Sequence, residues 1–116
     1  MSNSIEVFRA EDQATVSIAA TTTTGNVQWL PTTLASQPLI NCQVHNAGSS
    51  LVFIKFAPTS ALAVATVPSG STKGSIPVAP GAMVSFRVAI DQVFVAAIVV
   101  TAGNAGSVYF TPGFGA

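Results

Sequence analysis

The alternation of apolar and polar residues along the chain predicts a protein built from short β-strands. In INCQVH (40–45) and MVSFRVA (83–89) every second residue is apolar, which gives each strand one inward and one outward face. Helical periodicity is hard to find, and Gly- and Pro-rich turns punctuate the chain. We predict strands at 5–9, 14–20, 39–45, 51–57, 62–67, 74–78, 83–90, 93–101 and 107–111. The pattern favours an all-β fold, either an antiparallel β-sandwich or a jelly-roll-like barrel with an extended N-terminal segment.

Two predicted strands, LVFIKFAP (51–58) and VFVAAIVV (93–100), are apolar on both faces and therefore need an extra layer or a partner. In the first, one alternating set of side chains should supply the core and the other should meet the second layer. The two sets are Val52, Ile54 and Phe56, and Leu51 and Phe53. The N-terminal arm of this chain or another chain could form that layer. If another chain forms it, Lys55 should lie at the boundary.

The first 38 residues differ from the rest of the chain. Charged residues are concentrated at the start, and residues 13–38 are rich in Thr, Ala and Ser and contain the only Trp. We therefore divide a single domain into an N-terminal arm or irregular β segment, residues 1–38, and a β-sandwich core, residues 39–116. Trp29 and Leu30, beside a proline, suit a strap over a neighbouring subunit.

The charge content is low. Only 7% of the residues are charged, against about 25% in an ordinary domain, the formal net charge is zero and the mean hydropathy is +0.58. These values suggest that part of the surface contacts other subunits, although a monomer with a Ser/Thr-rich surface is the alternative. Clustered Lys and Arg, which nucleic-acid binding needs, are lacking, so we predict no nucleic-acid partner.

The chain shows no sequence signal for a membrane or for export. Its longest strongly apolar run, VFVAAIVV, has eight residues, whereas a membrane-spanning helix needs ~20. The start, MSNSIEVFRAEDQ, lacks the basic and apolar regions of a secretory signal. We expect no membrane partner, and synthesis in a cytoplasm.

Catalytic and metal-binding patterns are weak. With one cysteine, Cys42, and one histidine, His45, the chain cannot form an internal disulfide or an ordinary zinc site. A Ser-His-Asp triad would need His45 with Asp12 or Asp91, and no Gly-x-Ser-x-Gly motif is present. The adjacent carboxylates Glu11 and Asp12 would face opposite ways in a strand. We predict no enzyme, no metal and no cofactor, and we read Cys42 as a core residue.

The segment SGSTKGS (69–75) only superficially resembles a phosphate-binding loop. Thr precedes Lys73, Gly follows it, and a strand is predicted next, whereas the motif needs Gly-Lys followed by Ser or Thr and a helix. A hairpin tip is the better interpretation. Its lysine could contact an acidic surface of a partner.

The segments CQVHNAGSSLVFIKFAP, SIPVAPGAMVSFRV and VYFTPGFG, in this order, resemble small all-β virion proteins of bacteriophages. In that pattern a strand ends at Asn-x-Gly, an apolar strand follows, a Pro-Gly turn precedes a Phe-containing strand, and an aromatic strand ends in Gly-x-Gly. The matching positions are Asn46, Gly48, 52–56, Pro80, Gly81, Phe86, Tyr109, Phe110, Gly113 and Gly115.

The resemblance implies a decoration or cement protein that stabilises the capsid exterior by bridging major capsid subunits. Such proteins commonly form dimers or trimers, so the expected partners are the major capsid protein and further copies of this chain. The expected contact residues are Arg9, Trp29, Leu30, Leu51, Phe53, Lys55, Lys73 and Phe114. The alternative is a carbohydrate- or receptor-binding module of a phage fibre or tail, with Trp29, Tyr109 and Phe114 as its candidate aromatic residues.

Overall fold

The computed structural model describes residues 9–10, 14–30, 39–100 and 106–114, and these residues form strands, turns and irregular segments without a helix. The strands are β1 (Arg9–Ala10), β2 (Val16–Ala20), β3 (Gly25–Gln28), β4 (Leu39–Asn46), β5 (Val52–Ala57), β6 (Ile76–Val78), β7 (Met83–Ala89), β8 (Phe94–Val99) and β9 (Gly106–Phe114).

The strands form two antiparallel sheets that pack face to face. In sheet A, β7 pairs with β4 and β4 with β9, while β1 and β2 pair with successive parts of the other edge of β9. In sheet B the order is β3, β8, β5 and β6. This architecture confirms the prediction of an all-β antiparallel sandwich.

The core lies between the sheets and is made by the inward side chains of both. Alternation in β4 is as predicted, with Ile40, Cys42 and Val44 buried. The main buried cluster comprises Ile18, Ala20, Trp29, Leu30, Ile40, Cys42, Val44, Val52, Ile54, Val78, Val88, Val95, Ala97, Val99, Val108 and Phe110. It draws on both sheets, so the two inner faces bury one another as a sandwich requires.

Most predicted strands exist, with two differences. The strand predicted at 62–67 is wrong, because this segment consists of turn and irregular backbone. Conversely, β3 was missed, because its sequence, GNVQ, follows a run of threonines that resembles a turn. Residues 5–8, part of the first predicted strand, lie outside the described residues.

Residues 14–30 belong to the sandwich. Strand β2 pairs with β9 of sheet A, and β3 pairs with β8 of sheet B. The Trp29 backbone N–H donates to the Val93 carbonyl at 2.9 Å, and its indole Nε1–H donates to the Gln92 carbonyl at 2.7 Å. The indole also meets the Phe56 ring edge-to-face, with a centroid separation of 5.6 Å. The described part of the N-terminal third thus completes the same core as the later strands.

Candidate contact surfaces

The outer face of sheet B is covered by the chain itself. Residues 58–67, here called the cover segment, follow β5 and pack back over β5 and β8. Ala63 and Ala65 of this segment form a second buried cluster with Ala57 and Ala96 of the sheet. The side chains of Phe94 and Ile98 pack against this cluster. Sheet B therefore lies between the main core and a layer of small side chains.

Hydrogen bonds tie the cover segment to the region of β3. The Ala65 backbone N–H donates to Thr24 Oγ1 at 2.9 Å, and Asn26 Nδ2 donates to the Ser60 carbonyl at 3.4 Å. The alanines of the segment alternate with larger residues, so Ala63 and Ala65 face the sheet while the side chains of Leu62 and Val64 are exposed to solvent. The cover thus leaves a small apolar ridge on the surface.

The cover segment answers the question raised by LVFIKFAP. Val52 and Ile54 lie in the main core with Phe56 half-buried beside them, while Phe53, on the opposite face, is 6% exposed. The two layers that we considered for that face, the N-terminal arm and another chain, did not include the one that the described residues show. Part of the layer is the segment that follows β5, which we predicted as a strand.

Lys55 and Lys73 line one open cleft of about 440 Å³ beside β6. Its other lining residues are Ile54, Phe56, Thr66, Gly74, Ser75 and Ile76. Phe56 and Ile76 give the cleft an accessible apolar floor, whereas Ile54 is fully buried, and both lysines are exposed. The lining contains no carboxylate, so two cations share the site without an acidic neighbour among its lining residues. We call it the two-lysine cleft.

The loop that carries Lys73 is fixed at its base and at its tip. Thr66 and Ser75 exchange two hydrogen bonds, from the Ser75 N–H to the Thr66 carbonyl at 2.8 Å and from the Thr66 N–H to Ser75 Oγ at 2.9 Å. Residues 69–72 form a tight turn with Gly70 at a φ of 58°, a conformation that favours glycine. A side chain at Gly74 would collide with Pro68. The turn expected from the hairpin interpretation is present, although no strand precedes it, and these contacts position Lys73 beside the cleft.

The outer face of sheet A is mostly polar and is here called the polar face. Its polar side chains lie in rows across the strands and include Thr15, Ser17, Gln43, His45, Ser85, Arg87, Tyr109 and Thr111, and the exposed Met83 lies among them. Tyr109 is 40% exposed and lies at a tilt to His45, with ring centroids 6.3 Å apart. Thr15 and Thr111 hydrogen-bond through their hydroxyls at 2.9 Å. This surface offers many hydrogen-bonding groups and little charge.

The eight residues predicted as contacts differ in where the structure places them. Trp29 and Leu30, 1% and 2% exposed, are buried in this chain's own core, so we correct their assignment as surface contacts. Phe53 is buried as well. Leu51, Lys55 and Lys73 are exposed, and the fold brings the two lysines together. Arg9 stands opposite Phe114 in the β1–β9 ladder, distant in sequence but paired in register.

Asn46 is a buried polar residue whose structural role was missed. Its Nδ2 donates to the carbonyls of Ser50 at 2.8 Å and Val78 at 3.0 Å, and its Oδ1 accepts from the Gly48 N–H at 3.1 Å. Its backbone bonds to the turn before β7, accepting from Gly81. Asn46 therefore joins β4 of sheet A to β6 of sheet B. The Asn-Ala-Gly sequence indicated a turn, but gave no sign that the amide side chain reaches a second sheet.

Reactive groups are sparse in the described residues. Burial raises the pKa of the Cys42 thiol far above its ordinary value, and a backbone hydrogen bond with Thr111 opposes this shift only in part. Asp91 Oδ1 accepts a hydrogen bond from the Gln92 side chain at 3.2 Å. Among the described residues, no three His, Cys, Asp or Glu side chains are grouped so that they could hold a metal ion. Cys42 is a core residue, as predicted.

Within the same residues there is no helix that is long and apolar enough to cross a membrane. Comparisons with protein-family models, with curated protein sequences and with solved structures found no match. The resemblance to phage virion proteins therefore stays a prediction.

Proposed function

We propose that this chain is a structural protein that binds other protein subunits, and that it decorates and stabilises a bacteriophage capsid by bridging major capsid subunits. The observation that carries the proposal is the two-lysine cleft. In this class of function the protein acts through contact area and charge complementarity, and its surface needs no reacting group.

The cleft suits an acidic, partly apolar segment of a protein partner. The chain has four Lys and Arg residues in all, and two of them, Lys55 and Lys73, line this one cleft. Two ammonium groups on one site without a lining carboxylate favour a negatively charged ligand. The floor of Phe56 and Ile76, the apolar lining residues that are not fully buried, would bury apolar side chains of the same segment. Free inorganic anions would use the lysines but leave this floor uncovered.

Binding of this kind would stabilise a capsid by mass action. A protein that binds the assembled lattice but not its separated subunits shifts the equilibrium toward the lattice. A contact that spans two capsid subunits would resist their separation when the shell is under load. This proposal places the protein on the capsid exterior.

Capsids assembled from the major capsid protein encoded in the same genome provide the test. The double variant Lys55→Gln/Lys73→Gln should lower capsid affinity at least ~10-fold, and wild-type affinity should fall as salt is raised. The matched control is Ala19→Glu/Thr22→Glu, which changes the net charge equally at exposed positions outside the cleft. Co-sedimentation measures binding, and the melting temperature of the capsids measures stabilisation.

Three results would count against the proposal. They are equal loss of affinity in the control, failure of the wild-type protein to bind, and binding that leaves the heat resistance of the capsids unchanged. A genome without a capsid gene would remove the phage assignment while leaving open the binding of another acidic protein.

A second function, carbohydrate binding, is favoured by one observation. Tyr109 is exposed on the polar face beside His45, Gln43 and Thr111, and an aromatic ring among hydrogen-bonding side chains is a common setting for a sugar. Trp29 is buried and cannot contribute. A glycan array should then give hits that Tyr109→Ala abolishes, and an array without hits would remove this alternative.

A further inference from the structure

In the part of the chain that the structure describes, strand β7 leaves one long edge of sheet A open. It has seven residues, contains no proline, and carries one charged residue, Arg87. Among the described residues only β4 pairs with it. The corresponding edge of sheet B is different, because β6 has three residues with Pro77 at its centre. Long edge strands without proline or several charges readily pair with another strand, and most proteins protect them.

The hydrogen-bonding pattern shows which groups of β7 point outward. The Asn46 N–H donates to the Ala82 carbonyl at 3.0 Å, and the β4–β7 register places these two residues opposite each other. Because bonded pairs alternate in antiparallel ladders, the even-numbered residues of β7 bond to β4. Pro112 of β9 supports this assignment. It stands opposite Cys42 and has no N–H to donate, so Cys42 and the other even-numbered residues of β4 direct their backbone groups toward β7.

The odd-numbered residues of β7 therefore direct their N–H and C=O groups to the open edge. These residues are Met83, Ser85, Arg87 and Ala89. The side chain of Met83 is 57% exposed, and Val84 beside it is also exposed although it lies on the inward side. The open edge thus combines unpaired backbone groups with apolar side chains.

We propose that two copies of this chain pair antiparallel through β7, with Phe86 of each copy at the two-fold axis. In this register Ser85 of one copy stands opposite Arg87 of the other, and Met83 opposite Ala89. These pairs are odd-numbered, so their outward N–H and C=O groups can exchange two hydrogen bonds in each pair. The even-numbered residues between them keep their bonds to β4. The strand is used along its whole length.

Charge also favours this register over the adjacent one that is centred on Arg87. A pairing centred on Arg87 would place the two guanidinium groups directly opposite each other, which destabilises a cross-strand pair. Centring on Phe86 places each Arg87 beside a serine instead. The contact is isologous and closes after two copies, so it produces a dimer and not a fibre. It concerns self-association alone and stands whether or not a capsid is the partner.

The substitution Ser85→Pro tests the edge. It removes an N–H that the dimer uses and the β4–β7 ladder does not, so the fold should persist. At ~50 µM, sedimentation equilibrium should give twice the chain mass of 11.7 kDa for the wild-type protein and for the Ser85→Thr control, and the single mass for Ser85→Pro. A monomeric wild-type protein, or a dimer that survives in folded Ser85→Pro, would overturn the proposal.

Cysteine pairing tests the register without relying on a proline variant. In a Cys42→Ala background, Ser85→Cys protein mixed with Arg87→Cys protein should form a disulfide-linked dimer under mild oxidation, because these positions face each other. Neither protein alone should cross-link through the paired edges. Cross-linking of Ser85→Cys or Arg87→Cys alone, or none after mixing, would contradict the register.

Discussion

The two sheets of this protein have opposite outer faces. On sheet B the outer face is apolar and is covered by residues 58–67, with Ala63 and Ala65 against Ala57 and Ala96. On sheet A the outer face carries hydroxyl, amide and imidazole groups and an exposed tyrosine. Within the described residues, the centre of sheet B is therefore buried on both sides, whereas sheet A is buried on its inner side. The difference is already present in the strands. Strand β4 alternates, whereas β5 is apolar except for Lys55 and β8 is apolar throughout.

Continuous apolar strands thus indicate that a second layer exists, without identifying it. Low charge content suggested another subunit as the cover, but the chain supplies its own. The composition argument for assembly is weaker to that extent. What remains for partners is the two-lysine cleft, the ridge of Leu62 and Val64, the polar face and the open edge of β7.

The largest expected effect comes from two separate variants that place the same charge on the outer face of sheet B or of sheet A. Ala96→Glu puts a carboxylate beneath the cover segment, where Ala96 is fully buried, and should lower the free energy of unfolding by about 3–5 kcal/mol. Ala19→Glu puts it on the exposed outer side of β2 and should change that free energy by no more than about 0.5 kcal/mol. Urea denaturation followed by circular dichroism measures both. Equal effects would mean that residues 58–67 do not cover sheet B.

A smaller loss is expected where the two sheets are joined. Asn46→Ala removes two donors and one acceptor from buried backbone groups and should lower the free energy of unfolding by about 2–4 kcal/mol. Gln43→Ala, in the same strand but directed to the polar face, is the control and should cost less than about 1 kcal/mol. If the two variants melt alike, Asn46 does not contribute more than an ordinary strand residue.

The sandwich could be predicted because period-two alternation and turn residues are local signals. Seven of the nine observed strands were located, as were the burial of Cys42 and the inward side of β4. The cover segment could not be recognised, because ALAVAT also alternates as a strand would. Which side faces inward depends on the alanines of β5 and β8, and those contacts are distant in sequence. Trp29 was misplaced for the same reason, since its partners Gln92 and Phe56 come much later.

The candidate site was only partly predictable. Lys55 and Lys73 were selected separately, one as a charge within an apolar strand and the other as a hairpin lysine. Their shared cleft depends on the Thr66–Ser75 hydrogen bonds and on the turn at Gly70. The open edge of β7 requires the order of strands in sheet A, which a strand prediction alone does not provide.

The smallest expected effect tests whether water is excluded from the core beneath the polar face of sheet A as completely as beneath the covered face of sheet B. Cys42 lies directly inside sheet A, and burial raises the pKa of its thiol. In the unfolded chain the thiol ionises near pH ~8.5. Above that pH the unfolded state binds fewer protons than the folded state, so the stability falls as pH rises. The slope should approach about 1.4 kcal/mol per pH unit while the folded thiol stays protonated. Below pH ~8 the thiol should contribute no pH dependence.

Comparison with Cys42→Ala isolates this effect. Every other ionisable group is common to both proteins and cancels in the difference, whereas the small cavity left by alanine lowers stability equally at every pH. Chemical denaturation between pH 7 and 10.5 should therefore show the wild-type protein losing its advantage over the variant only at the alkaline end. A constant difference across that range would mean that the native thiol ionises as readily as the unfolded one. The polar face would then admit water to the core, and the contrast between the two sheets would extend from their outer surfaces to the interior beneath them.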